Sequence, residues 1–185
     1  MKTRKEVLKN IIDGFLRKEQ LVKSEEHEKL EKPFISKARK NFSIANLLFK
    51  ISEQDDLKKL LTLASDFEMY DWVIIVSYYS MYISALSALA KLGFKSKSHT
   101  ATIAVLEYTY VHENKETDKK LEAKDIHKLT RAYDISEQLI TKLIQTKTNR
   151  ETAQYNATPA ITKEMAKTAL NDTDEFISKI EEVLI

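Results

Sequence analysis

The chain has no cysteine, two glycines (Gly14, Gly93) and two prolines (Pro33, Pro159) in 185 residues. Without cysteine there is no disulfide framework, no thiolate zinc site and no thiol nucleophile, and a reducing, cytoplasmic setting is expected. Two glycines exclude a glycine-rich phosphate loop and the frequent tight turns of an all-β protein. An excess of one charge is missing too. Thirty Lys and Arg stand against 28 Asp and Glu, a formal charge of +2, so no overall field draws the chain to nucleic acid and any basic surface is local. The opening Met1-Lys2-Thr3-Arg4-Lys5-Glu6 leads into a charged amphipathic segment rather than the apolar run of a secretory signal, so export is not expected.

Long apolar runs are scarce as well, with one exception. Trp72 to Ala90 contains no charged residue and is long enough to cross a bilayer. Within it Ser77, Ser80, Ser84 and Ser87 recur at three- and four-residue steps, with Tyr78, Tyr79 and Tyr82 between them. The hydroxyls weaken insertion, and a stripe of small residues lets neighbouring helices approach closely. The expectation is a buried helix in a soluble bundle, with no membrane involved. A chain of this length buries roughly two-thirds of its unfolded surface, enough for one domain with a real core.

What is abundant is helical periodicity. Val7, Leu8, Ile11, Ile12, Phe15 and Leu16 make one stripe and predict a first helix between Lys5 and Val22. A charged stretch, Ser24 to Lys32, separates it from Pro33, which suits the first turn of a second helix carrying Phe34, Ala38, Phe42, Ala45 and Leu48. Ser52 to Asp56 reads as a break and Leu57 to Ala64 as a short helix. Ser65-Asp66 offers capping oxygens to the long serine-striped helix, which ends at Gly93. Ser98 can cap a helix through Ile103, Leu106, Tyr110 and Val111, followed by a polar loop from Glu113 to Lys120. A helix over Leu121 to Ile144 and a final one after Pro159 complete the chain. The expected fold is all-α: an antiparallel up-and-down helical bundle over residues 33–185 with an N-terminal helical extension over residues 1–32, one compact domain overall.

Self-sufficient catalytic patterns are absent. His27, His99, His112 and His127 form no two-His helical pair with a nearby carboxylate, so no metal is expected. Asp55-Asp56 and Glu181-Glu182 are adjacent and would point about 100° apart on a helix, which suits solvated faces rather than paired acid–base work. Lys95, Lys97 and His99 follow Gly93 at a helix junction, where amides and cations can hold a phosphate, although an ordinary basic turn is the plainer reading. The segment Thr148-Asn149-Arg150-Glu151-Thr152-Ala153-Gln154-Tyr155 joins a permanently charged fork to a phenol. Arg can grip a phosphate at two points and Tyr can stack on a base.

Taken in order, Ser77-Tyr78-Tyr79-Ser80-Met81-Tyr82, Lys97-Ser98-His99, Arg150 with Tyr155, and the closing helix from Ala169 to Phe176 resemble the HEPN domain family, named for higher-eukaryote and prokaryote nucleotide-binding domains. The resemblance is closest to its small archaeal and bacterial branch and spans roughly Phe34 to Leu184. In ribonuclease members an Arg-x4-His motif from two protomers meets at a dimer interface and cleaves RNA without metal. Arg150 matches, but Tyr155 holds the His slot, and an unperturbed Tyr titrates near pH 10 and is a poor base. Other members pair with minimal nucleotidyltransferases as toxin and antitoxin, with a Tyr two places after the motif His as adenylyl acceptor; that position here is Ala157. The resemblance implies a homodimer that binds nucleotide or RNA phosphate, without cofactor, near Arg150, Tyr155, Asn149, His99 and Lys97, and a possible nucleotidyltransferase partner. Two other readings stand beside it: a metal-independent endoribonuclease using Arg150 with Tyr155 or His99, and a purely structural helical interaction protein.

Overall fold

The computed structural model describes residues 3–113, 121–149 and 161–185, without the side chains of residues 138 and 140–149. Among these the chain forms a helical bundle of α1 (Arg4–Arg17), α2 (Glu31–Glu53), α3 (Asp55–Leu60), α4 (Tyr70–Lys91), α5 (His99–Leu106), α6 (Ala123–Asn149) and α7 (Lys163–Leu184). A 3₁₀ segment, Glu25–Leu30, leads into α2, and α5 widens without a break into a π-helix over Glu107–Glu113. The helical expectation holds.

α4 is the axis of the bundle. Val73, Ala85, Ala88 and Leu89 are fully buried, and so are Ser80, Ser84 and Ser87. Their small side chains allow α2 to lie close, presenting Ala38 and Ala45, both fully buried. A buried hydroxyl left without a partner is costly. Ser80 donates to the Val76 carbonyl (2.8 Å), Ser84 to that of Met81 (2.7 Å), and Ser87 to that of Glu31 at the start of α2 (2.7 Å). α4 is also the one helix among the described residues long and apolar enough to cross a bilayer, and most of it is buried inside the fold. Its apolar character is thus spent on α2, α5, α6 and α7.

The second flank of α4 receives α7 through Phe176, Ile177 and Ile180, all fully buried. α2 and α7 are further clamped by Arg39, whose guanidinium donates to both Glu181 carboxylate oxygens (2.9 and 2.6 Å), to Asp174 (2.8 Å) and to Ser178 (3.2 Å). At the opposite end Tyr70 donates to Glu53 (2.5 Å), which is also ion-paired with Lys163. That contact ties the end of α2 to the starts of α4 and α7.

The boundaries differ from expectation in three places. α1 stops at Arg17 rather than reaching Val22, because Leu21–Lys23 form a short strand, β1, antiparallel to β2 (Phe94–Ser96), with Val22 opposite Lys95. Pro33 falls in the first turn of α2 as expected, but α2 runs on to Glu53, only Gln54 separates it from α3, and the short helix is Asp55–Leu60 rather than Leu57 to Ala64. α4 is not capped by Ser65 or Asp66. Its cap is Met69, without a side-chain bond, and the Met69 N–H donates instead to Ser52 Oγ (2.9 Å), while the Ser65 carbonyl accepts from the buried Lys58 ammonium (2.8 Å).

Gly93 ends α4 as expected, with φ of +75°. It is needed twice over: the conformation is strained for an L side chain, and a Cβ would come within 3.2 Å of the Ser24 carbonyl oxygen. That closeness lets the Ser24 N–H donate to the Gly93 carbonyl (2.8 Å) and extends the β1–β2 tie. α1 itself opens on a reciprocal cap, Thr3 Oγ1 accepting from Glu6 N–H (3.3 Å) and Glu6 Oε2 from Thr3 N–H (2.8 Å). It buries Leu8 and Ile12 in the same core cluster as Tyr78, Leu106 and Phe176. Arg4 fixes its start with a two-pronged grip on Glu107 (2.6 and 2.5 Å).

Candidate functional site

The Lys97-Ser98-His99 turn is built by its own side chains. Ser98 caps α5, its Oγ accepting from the Ala101 N–H (3.3 Å), while its carbonyl accepts from Ser96 Oγ (2.8 Å) and its N–H donates back to that oxygen (3.1 Å). Lys97 is exposed, and its N–H donates to the Gln20 carbonyl (2.8 Å) beside β1. The turn is therefore held rigidly at the edge of the two-stranded ribbon, and His99 is the first residue of α5.

His99 faces inward, against the aromatic residues of two other helices. Its ring stacks on Tyr82 (centroids 4.0 Å apart, 18° between planes) and on Tyr133 of α6 (5.1 Å, 26°), and its Nδ1 is hydrogen-bonded to the Tyr78 hydroxyl. Tyr79 extends the group, 5.3 Å from Tyr78. Tyr78 is buried, Tyr82, Tyr133 and His99 are half-buried, and Tyr79 is exposed, so the cluster runs from the core to the surface.

Burial sets the charge state of this group. Loss of hydration pushes the His99 imidazole below its usual pKa, against a weaker opposing pull from the Glu137 carboxylate. Burial also raises the phenols of Tyr78, Tyr82 and Tyr133; at Tyr78 the neighbouring phenols and Glu137 add to the rise. At neutral pH the cluster is uncharged. It can stack or exchange hydrogen bonds, but it does not supply the cation a phosphate needs.

Of the sequence-derived site residues, the structure joins His99 to Tyr78 and Tyr82 and leaves Lys97 pointing to solvent on the same turn. Arg150 and Tyr155 lie outside the described residues. Asn149 is the last residue of α6, sixteen residues beyond Tyr133, so its backbone stands about 24 Å along the helix axis from the level of His99. Near the other flank of the Arg-Tyr segment α7 is fixed firmly, by Thr162 accepting from the Met165 N–H (3.3 Å) and by the Lys163–Glu53 pair. Among the described residues no group of His and carboxylates could hold a metal ion. Tyr133, within the helix expected over Leu121 to Ile144, was not among the sequence-derived site residues; its role depends on α6 crossing α4, which leaves no local mark.

A cleft was also missed. It lies between α4, α6 and α7, has a volume of about 180 Å³, and has Tyr78 in its wall.

A family model, the HEPN domain, matches residues 45–183, from within α2 to the last turn of α7 and including the Arg150–Tyr155 segment. No curated protein and no solved structure matches the chain. The match covers most of the sequence and agrees with the motif order, and the chain belongs to the HEPN domain family.

Proposed function

We propose that this HEPN protein is a binding module: a homodimer that holds a nucleotide or RNA phosphate through Arg150, acts with a partner protein such as a minimal nucleotidyltransferase in a toxin–antitoxin or defence setting, and does not cleave what it binds. Family membership supports the nucleotide or RNA association. The observation that carries the absence of cleavage is the state of His99. General acid–base cleavage of RNA needs a group that gives a proton as well as one that takes it. His99 is already engaged: its ring is desolvated and stacked on Tyr82 and Tyr133, and its Nδ1 is hydrogen-bonded to the Tyr78 hydroxyl, so it is not free to exchange a proton with bound RNA. Tyr155, in the motif's His slot, is a poor base at neutral pH.

On this reading Arg150 supplies the charge and the two parallel N–H donors, which Lys cannot reproduce. Fluorescence anisotropy with a labelled unstructured RNA and with ATP tests it. Arg150→Lys weakens binding about tenfold at constant salt, and Tyr155→Phe, which keeps the ring, changes it little. Absence of binding to both probes by the wild type, or equal affinity in Arg150→Ala, contradicts it.

A further inference from the structure

We infer that the cleft between α4, α6 and α7 is a separate pocket for a small uncharged aromatic molecule carrying one hydrogen-bonding group, such as a phenol, with Ser77 as its polar partner.

Space comes first. The cleft holds about 180 Å³, and an apolar cavity of roughly 150 Å³ is enough to take a benzene ring. Its lining is mainly hydrocarbon and thioether: Ile74 and Met81 from α4, Ala132 and Ile135 from α6, Met165 and Ala169 from α7. Methionines adapt to an irregular guest and make favourable contacts with aromatic rings. The mouth is open to solvent at Arg131, Glu164 and Met165.

Ser77 gives the pocket its chemistry. It is 1 % exposed, lines the cleft, and its Oγ has no hydrogen-bond partner among the described residues. The three other serines of the α4 stripe all have partners. A buried hydroxyl without a partner costs free energy that one polar atom on a guest would recover.

Charge and stoichiometry narrow the guest. The Lys128 ammonium is already committed to Glu175 (2.5 Å) and Asp172 (3.5 Å), and the rim carries Arg131 and Glu164, one of each sign. The charges of the lining balance, Lys128 and Arg131 against Glu164 and Asp172, so no net charge draws an ion. A nucleobase carries several polar atoms around its edges, and at the buried wall of the cleft, where Ser77 offers the one buried unpartnered hydroxyl of the lining among the described residues, those turned inward would be left dry. A ring with a single polar atom leaves none unsatisfied. The pocket is therefore distinct in chemistry from the phosphate site proposed at Arg150.

The test uses the full chain, phenol and benzene as probes, and ligand-observed NMR titration. Wild type takes up both saturably, phenol more tightly, with a Kd on the order of 1 mM for so few atoms. Ser77→Ala weakens phenol roughly fivefold, the loss of one neutral hydrogen bond, and leaves benzene unchanged. Ala169→Leu fills the cleft and abolishes uptake of both; Ala132→Leu does the same from the opposite wall and serves if the first variant does not fold. The inference is overturned by non-saturable uptake of phenol, as expected of a cleft that holds only water, or by equal affinity for phenol and benzene. Phenol binding that survives in a folded leucine variant overturns it too.

Discussion

Two stretches of α4 use the same residue type to opposite ends. From Ser80 to Ser87 the helix is sealed: small side chains admit α2 and α5, and every serine hydroxyl finds a carbonyl. One turn earlier, at Ser77, a cleft lies between α4, α6 and α7 and the hydroxyl has no partner among the described residues. Serine on a buried helix is therefore not one signal. Where a second backbone comes close, it is a packing device that satisfies itself. Where a cleft lies beside it, it is a buried polar group left without a partner.

The sharpest way to break this comparison is to enlarge an alanine on each side. Ala88 has no exposed surface, and Ala88→Leu should cost about 1–3 kcal/mol by overpacking. Ala169, half-buried beside the cleft, has room for the same change, and Ala169→Leu should unfold at the wild-type urea midpoint or slightly above it. Equal losses would mean that the cleft closes in solution.

Deleting hydroxyls gives a smaller contrast. Ser87→Ala leaves the Glu31 carbonyl without its donor and should lower stability by about 1 kcal/mol. Ser77→Ala removes a polar group that has no partner and should be neutral or mildly stabilising. Chemical denaturation of the two variants side by side checks the sign, which matters more than the size.

The smallest effect concerns pH. The folded pKa of His99 lies below its unfolded value of about 6.5, so the unfolded chain binds more protons as the medium turns acid. The stability this group contributes is present above pH 6.5 and is lost as the pH falls from there through the folded value. His99→Gln should flatten the fall in urea midpoint between pH 7 and 5.5. An unchanged slope would remove the desolvated imidazole from the account.

Much of this was legible in the sequence. The serine stripe, the charge-free run and Gly93 located the central helix, and Pro33 fell in the first turn of α2. Three-residue strands carry no period, so β1 and β2 were hidden, and Leu21 and Val22 were drawn into the preceding helical stripe. Ser65 had the right chemistry for a cap, but Ser52, at the end of α2, was already positioned to take the Met69 N–H. His99 and its tyrosines on α4 were visible as motifs; Tyr133 was not, because α6 reaches them only through the tertiary fold. The cleft left no trace in the sequence for the same reason: its walls come from three helices that meet only in the tertiary fold.

On the proposed function, this HEPN protein binds RNA without cutting it. The most direct test of that reading incubates purified wild type, Arg150→Ala, Tyr155→Phe and His99→Ala with unstructured RNA in excess EDTA and follows both retention and fragment length. The account predicts retention by wild type, Tyr155→Phe and His99→Ala, loss of retention in Arg150→Ala, and intact RNA in every lane. Metal-independent cleavage by wild type that Arg150→Ala and either Tyr155→Phe or His99→Ala eliminate would contradict it and make the protein a ribonuclease.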